Sequence, residues 1–201
     1  MTKLQKRLKK ANDFLKEIEQ RIEKDKGAKA DLKRALSGEP RHLLHIYPIV
    51  RPELEYSDNE EQQRFLEYRQ QHIWIPVVCL FSYYPPKDHR YVEQRHFGYS
   101  CRVLNEKTDS NGPERRFRTL LETDLENLLP LLATLVRLMK QKEVAINYPQ
   151  LIVDLEQWSH YKMYIQDQWA KAFWRGDSSK TDNAAADSDD SDAEASAEAS
   201  T

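Results

Sequence analysis

An all-α fold is the expectation, and three features of the chain carry it. Only five of 201 residues are glycine, 32% are charged, and apolar residues recur at spacings of three and four. Scarce glycine and dense charge argue against a turn-rich β sandwich and favour helices. The length fits one domain, or two small ones sharing a core.

The elements follow in order. Leu4, Leu8, Ala11, Leu15, Ile18 and Ile22 stand 4, 3, 4, 3 and 4 apart, an amphipathic helix with a narrow apolar seam. Gly27 is expected to interrupt it. Ala28 to Leu36 reads as a second helix, stopped by Ser37-Gly38-Glu39-Pro40. Residues 42–49 allow a short helical turn before Arg51-Pro52. Glu60 to Tyr84 begins as a strong helix former and then turns β-branched and aromatic. Periodicity does not separate buried helix from strand over residues 73–83. A lone strand would have no pairing partner, so the segment is assigned to helix. Residues 85–95 form a polar loop.

Farther along, Phe97, Cys101 and Leu104 mark one face of a short helix, and Asp109-Ser110-Asn111-Gly112 is a loop. Pro113 suits the first turn of a helix with Phe117, Leu120 and Leu121 facing inward. Asp124 is the expected N-cap of a long helix through Lys142. Its stripe is Leu125, Leu128, Leu129, Leu132, Leu135, Val136 and Met139, and Pro130 should kink it or mark its first turn. Tyr148 to Trp158 and Tyr161 to Trp174 are two further helices. Beyond Gly176 the chain is mostly Ala, Ser, Asp and Glu with no aromatic residue. Such a composition cannot bury enough surface to order itself.

Charge is divided unevenly. Residues 177–201 hold eight acids (Asp177, Asp182, Asp187, Asp189, Asp190, Asp192, Glu194, Glu198) and one base, Lys180, a net of −7. The other 176 residues carry 30 bases and 25 acids, a net of +5. Such asymmetry points to partners better than the overall −2 does. The longest apolar run, Ile73 to Phe81, is far short of the roughly 20 residues a membrane helix needs. The basic start, Met1 to Arg7, is not followed by an apolar stretch of the kind a signal peptide has. Two cysteines make no disulfide framework. A cytoplasmic protein is expected.

Catalytic constellations are missing from the sequence. His42 and His45 are three apart, as paired metal ligands can be, but no third ligand stands nearby. His72, His89, His96 and His160 are scattered, and Cys79 reads as a small core residue rather than a nucleophile. Asp154 and Glu156 are two apart, so a helix would point them in different directions. No glycine-rich phosphate loop is present. No enzyme, metal or cofactor is expected.

The arginines carry more. At 100° per residue, Arg102 lies away from the face of Phe97, Cys101 and Leu104. Arg115 and Arg118 share a face opposite Phe117, Leu120 and Leu121, within the arginine cluster Arg115-Arg116-Phe117-Arg118. Arg137 lies nearly opposite its own leucine stripe. Lys33 and Arg34 flank the outward side of a helix whose inward residues are Ala28, Leu32, Ala35 and Leu36. Packed together, these helices can present one positive band, and arginine with few nearby acids suits phosphate.

An ordered set of short motifs runs through the chain. It comprises Lys33-Arg34-Ala35-Leu36 with Pro40, Tyr47-Pro48-Ile49-Val50, Phe97 to Leu104, Pro113 to Phe117, and Leu135-Val136-Arg137-Leu138. Asn147 to Leu151 with Asp154-Leu155 and Trp158, and Gln168-Trp169-Ala170, complete it. Over roughly residues 12–176 the set resembles the CasB family, the small subunit of the type I-E CRISPR surveillance complex, Cascade. The resemblance implies two helical bundles, here residues 1–90 and 91–176, followed by the acidic tail 177–201. It also implies a protein without catalytic activity, set as a head-to-tail pair against the backbone and large subunits. There it would support the R-loop of guide RNA, target DNA and displaced strand through basic surface residues. Base pairing reads sequence in such complexes, while protein reads shape and charge. Lys33, Arg34, Arg102, Arg115, Arg116, Arg118 and Arg137 are the expected nucleic-acid contacts.

Two other readings compete. The seam from Leu4 to Ile22 can dock a partner helix, which would make the chain a coiled-coil adaptor, although a core-facing helix is the ordinary outcome. A nuclease or phosphoryl-transfer enzyme would need a carboxylate cluster or metal motif that is missing here.

Overall fold

The computed structural model describes residues 1–86 and 96–175, and every regular element among them is helical. The expected loop over 85–95 lies mostly outside the described residues, as does the acidic tail.

Helix α1 spans Lys3–Lys24. A capping box fixes its start: the Thr2 hydroxyl accepts from the Gln5 amide at 3.2 Å, and the Gln5 side chain accepts from the Thr2 amide at 2.9 Å. Ala11, Phe14, Leu15, Ile18 and Ile22 are buried, whereas Leu4 at the head of the expected seam is 45% exposed. The covered part of the seam packs inside this chain, on α2 (Lys26–Ala35), α5 (Ile75–Tyr83) and α9 (Tyr148–Leu155). The break after α1 falls at Asp25 rather than Gly27. The Asp25 carboxylate accepts from the Gly27 amide at 2.8 Å and so caps α2, placing Gly27 inside its first turn.

Gly38, at φ +73°, follows the end of α2 in a conformation that suits glycine. Helix α3 then runs the full length of Pro40–Val50, longer than the short turn expected. A 3-10 turn, Arg51–Glu53, leads toward α4, Glu60–Arg69, which Asn59 caps through the Gln62 amide.

The ambiguous segment is helical, with one irregularity. A π-helical turn, Gln70–Trp74, separates α4 from α5. Pro76 has no amide hydrogen to give the His72 carbonyl, and its ring crowds that oxygen. The wider turn, in which the Ile75 amide reaches back to the Gln70 carbonyl, absorbs both problems. Every residue from Ile75 to Ser82 is buried. A helix covered on all sides has no polar face, which is why its sequence shows no period.

Helices α6 (Phe97–Glu106), α7 (Gly112–Leu121) and α8 (Leu128–Gln141) pack on one another. Asp124 caps no long helix. It precedes a 3-10 turn, Leu125–Asn127, and α8 starts only at Leu128, so Pro130 sits in its first turn, where a missing amide costs nothing. Leu129 is half-buried, unlike the rest of its stripe. Helix α9 ends at Leu155, earlier than expected. Turns then carry the chain past Trp158 to α10, Tyr164–Trp174, preceded by Met163 at φ +48°. The Tyr148 hydroxyl on α9 donates to the Tyr84 carbonyl at 2.7 Å, tying α9 to the end of α5. Buried side chains from Ala11 to Phe173 form one continuous cluster.

Helix α10 lies across α6 with no room to spare. A Cβ on Gly98 would fall 2.3 Å from the Trp169 carbonyl oxygen and 2.7 Å from its Cα. Both are backbone atoms, so neither can swing aside. Gly98→Ala should therefore cost about 3 kcal/mol or more in urea unfolding, despite alanine's better helix propensity. Gly112→Ala is the control, because its new methyl would meet the movable end of Arg116 at 2.9 Å and should cost little.

Candidate nucleic-acid interface

The seven basic residues picked from the sequence fall into two structural groups. Lys33 and Arg34 are exposed on α2, which packs on α1, α3 and α5. Arg102, Arg115, Arg116, Arg118 and Arg137 sit on α6, α7 and α8, which pack on one another.

Their electrostatic situations differ more than their positions. Arg34 pairs with Asp31 at 2.9 Å, within its own helix. Arg118 donates to Glu114 at 2.7 Å and lies over the Trp174 ring at 5.0 Å. Hydrogen bonds from Arg118 Nε and Nη2 hold the Glu114 carboxyl below its usual range. Lys33, Arg115, Arg116 and Arg137 are exposed and form no ion pair with another described residue. Arg102 departs from the outward position expected of it. Its side chain is only 22% exposed, its guanidinium lies 4.8 Å from the Tyr99 ring centre, and Glu106 stands 3.5 Å from its Nε. The physical reason is local, since an aromatic ring three residues earlier offers the stem a surface to lie on.

The His42 ring bonds the Ser37 hydroxyl at 3.0 Å. No cluster of three or more metal-ligating side chains occurs among the described residues. Cys79 is buried, and burial pushes its thiol up to about 12, far from the range where a thiolate nucleophile works. No helix among the described residues is long and apolar enough to cross a membrane.

Two buried carboxylates have partners that the sequence reading did not foresee. Asp154, 1% exposed on α9, accepts from His96 Nδ1 at 2.9 Å and Trp169 Nε1 at 2.7 Å on one oxygen. Its other oxygen accepts from Gln150 Nε2 at 2.7 Å. It thereby ties α9 to the start of α6 and to α10. Glu156, just past the end of α9, has a side chain 5% exposed and pairs with Arg7 of α1 at 2.8 Å and with Arg69 of α4. Burial lowers the pKa of both arginines. Asp154 and Glu156 do point in different directions, as their spacing requires, and each has its own partners. Local spacing does not reveal these roles, because apart from Gln150 the partners lie 58 and 15 residues away for Asp154, and 149 residues separate Glu156 from Arg7.

The pattern of the CRISPR-associated Cse2 family matches residues 28–174, most of the chain. The chain belongs to the Cse2 family. This agrees with the CasB resemblance carried by the ordered motifs. Helix α1 lies outside the matched residues. No curated protein matches the chain. Among solved structures, CasB from M. ruber is similar at a TM-score of 0.67 and 23% identity, covering 83% of this chain and 93% of that one. A Cse2-family protein from Thermus thermophilus is similar at 0.61 and 26% identity, over 87% and 99%. A chain of a CRISPR RNA-guided surveillance complex is similar at 0.64 and 19% identity, over 85% and 94%.

Two outcomes test the buried carboxylate of this Cse2 chain. Asp154→Asn puts an NH2 group among donors and should cost about 3 kcal/mol in urea unfolding, because buried partners are left unpaired. The His96 pair should also be pH-dependent. Burial pulls the imidazole pKa down, but the hydrogen bond and charge of Asp154 together raise it above the ordinary 6.5. A raised folded-state pKa stabilises fully below the unfolded value, and the gain is lost as pH rises through the folded one. The stability advantage of the parent over His96→Gln should accordingly be larger at pH 5.5 than at pH 8.5. An advantage independent of pH would mean that the imidazole carries no charge in the pair.

Proposed function

We propose that this Cse2-family chain is a non-catalytic subunit of a type I-E CRISPR surveillance complex, Cascade, and binds nucleic-acid backbone without sequence preference. The observation that carries this reading is the set Arg115, Arg116 and Arg137. These are exposed and free of ion pairs among the described residues, on two helices that pack together. Arginines left without a carboxylate keep their donors available to phosphate. Lys33, Arg34, Arg102 and Arg118 are auxiliary contacts in this proposal, since three of the four are already paired with a carboxylate.

The ligands are the guide RNA, the target strand and the displaced DNA strand of the R-loop. The protein partners are the backbone and large subunits and a second copy arranged head-to-tail. The proposal keeps residues 1–90 and 91–176 as its two helical bundles, with a boundary that lies outside the described residues. A coiled-coil adaptor draws no support from α1, whose apolar side chains from Ala11 to Ile22 are already covered within this chain.

Phosphate contacts position a protein without specifying sequence, and they make its affinity depend on salt. Fluorescence anisotropy with a single-stranded 20-mer should give a straight line of log affinity against log salt. Combining Arg115→Glu, Arg116→Glu and Arg137→Glu should flatten that line by about 0.7 for each contact removed. A slope that the three substitutions leave unchanged would place the interface elsewhere, and a sequence-selective, salt-insensitive isotherm would contradict the reading.

A further inference from the structure

The last described residues of the chain lie beside the arginine helix. Trp174, at the end of α10, packs on Phe117 of α7 with ring centres 5.6 Å apart, and Phe173 stacks on Phe117 at 4.5 Å. The Arg118 guanidinium covers the Trp174 ring from the same helix. The end of α10 is therefore fixed against α7, and the chain leaves the described region at Arg175, which is exposed. Asp177 follows two residues later, at most about 7 Å on, and Asp182 lies within about 25 Å of contour. Helix α7 is only about 15 Å long. Its Arg115 and Arg116 are exposed and hold no ion pair with a described residue, while the segment carries a net of −7.

We propose that residues 177–201 dock on the Arg115–Arg116 face of α7 and compete there with nucleic-acid phosphate, so that the chain carries its own polyanion beside its binding face. The competition rests on the function proposed above; the docking does not. Tethering favours this face over a further basic surface among the described residues. The latter, at the start of α1, comprises Lys3, Lys6, Arg7, Lys9 and Lys10. Arg7 pairs there with Glu156, and the neighbouring Gln157 accepts from the Tyr164 hydroxyl, so that surface adjoins the first residue of α10 rather than the last. A short tether gives the nearer site an effective concentration of about millimolar, enough for weak individual contacts to matter. Screening should remove the effect, because the Debye length falls from about 10 Å at 0.1 M salt to about 3 Å at 1 M.

The docking is read without nucleic acid. A spin label on Ser191→Cys in the full chain reports the segment's position, since Cys79 and Cys101 are buried with thiol pKa values pushed up and stay unlabelled. Amide signals of residues 115–118 should broaden at low salt and recover at 1 M. Absence of broadening, or broadening confined to residues 3–10, would overturn the docking. Competition is read with the single-stranded 20-mer and a full-length chain in which the six aspartates of the segment become asparagine and its two glutamates glutamine. That chain should bind about three- to tenfold tighter than the parent near 50 mM salt and equally at high salt. Equal affinity at low salt would refute competition, whatever the label reports. If neither chain binds the oligonucleotide, the proposed function fails and the competition with it, while the label still decides the docking.

Discussion

The arrangement of the second half of the molecule depends on one buried charge. Asp154 is out of water, and a carboxylate there is tolerated only when donors surround it. Gln150, His96 and Trp169 supply them from three segments of the chain. Each donor has one position in which its bond is good, so the carboxylate fixes where α6 begins and how α10 turns. The Trp169 indole meets that demand while its ring packs against Trp158 at 4.9 Å and Phe97 at 5.2 Å. Gly98 completes the arrangement by removing the one side chain that would hold α6 and α10 apart. Polar pairing sets the orientation of the two helices, and a missing Cβ sets their separation.

Glu156 plays the corresponding part toward the first half. It draws Arg7 of α1 and Arg69 of α4 onto the end of α9, so one short helix and the residue after it join α1 and α4 to the start of α6 and to α10 through two carboxylates. Helix α5, packed on both α1 and α9, is buried from Ile75 to Ser82. The Pro76 irregularity is displaced into the π-helical turn before that core helix.

This framework separates basic residues that serve the fold from those left to a ligand. Arg7 and Arg69 are spent on Glu156, and Arg102 lies along Tyr99. Arg118 is divided between Glu114 and Trp174, and by covering Trp174 it anchors the end of α10 on α7. Arg115, Arg116 and Arg137 remain exposed on the same group of helices, with nothing among the described residues to neutralise them. The function proposed for this Cse2 chain rests on that remainder. The same anchoring holds Trp174 and Arg175, the last described residues, beside α7.

The amino-acid sequence by itself determined the helical class, most helix positions and the outward place of Lys33, Arg34, Arg115, Arg116, Arg118 and Arg137. These follow from period and capping, which act over a few residues. The ordered motifs were likewise enough to identify the family. Some boundaries were misplaced where a local rule had two solutions: Asp25 rather than Gly27 ends α1, and a 3-10 turn rather than an Asp124 cap precedes α8. Arg102 departs from its expected outward place for a local reason, the Tyr99 ring three residues earlier. Tertiary structure alone decided that Asp154 and Glu156 are hubs and that the end of α10 meets the arginine helix. Each of these depends on partners distant in sequence, and a periodicity of 3.6 residues contains no information about which helix lies across which. Burial and pairing are properties of the packed molecule, so they became visible only when the helices were together.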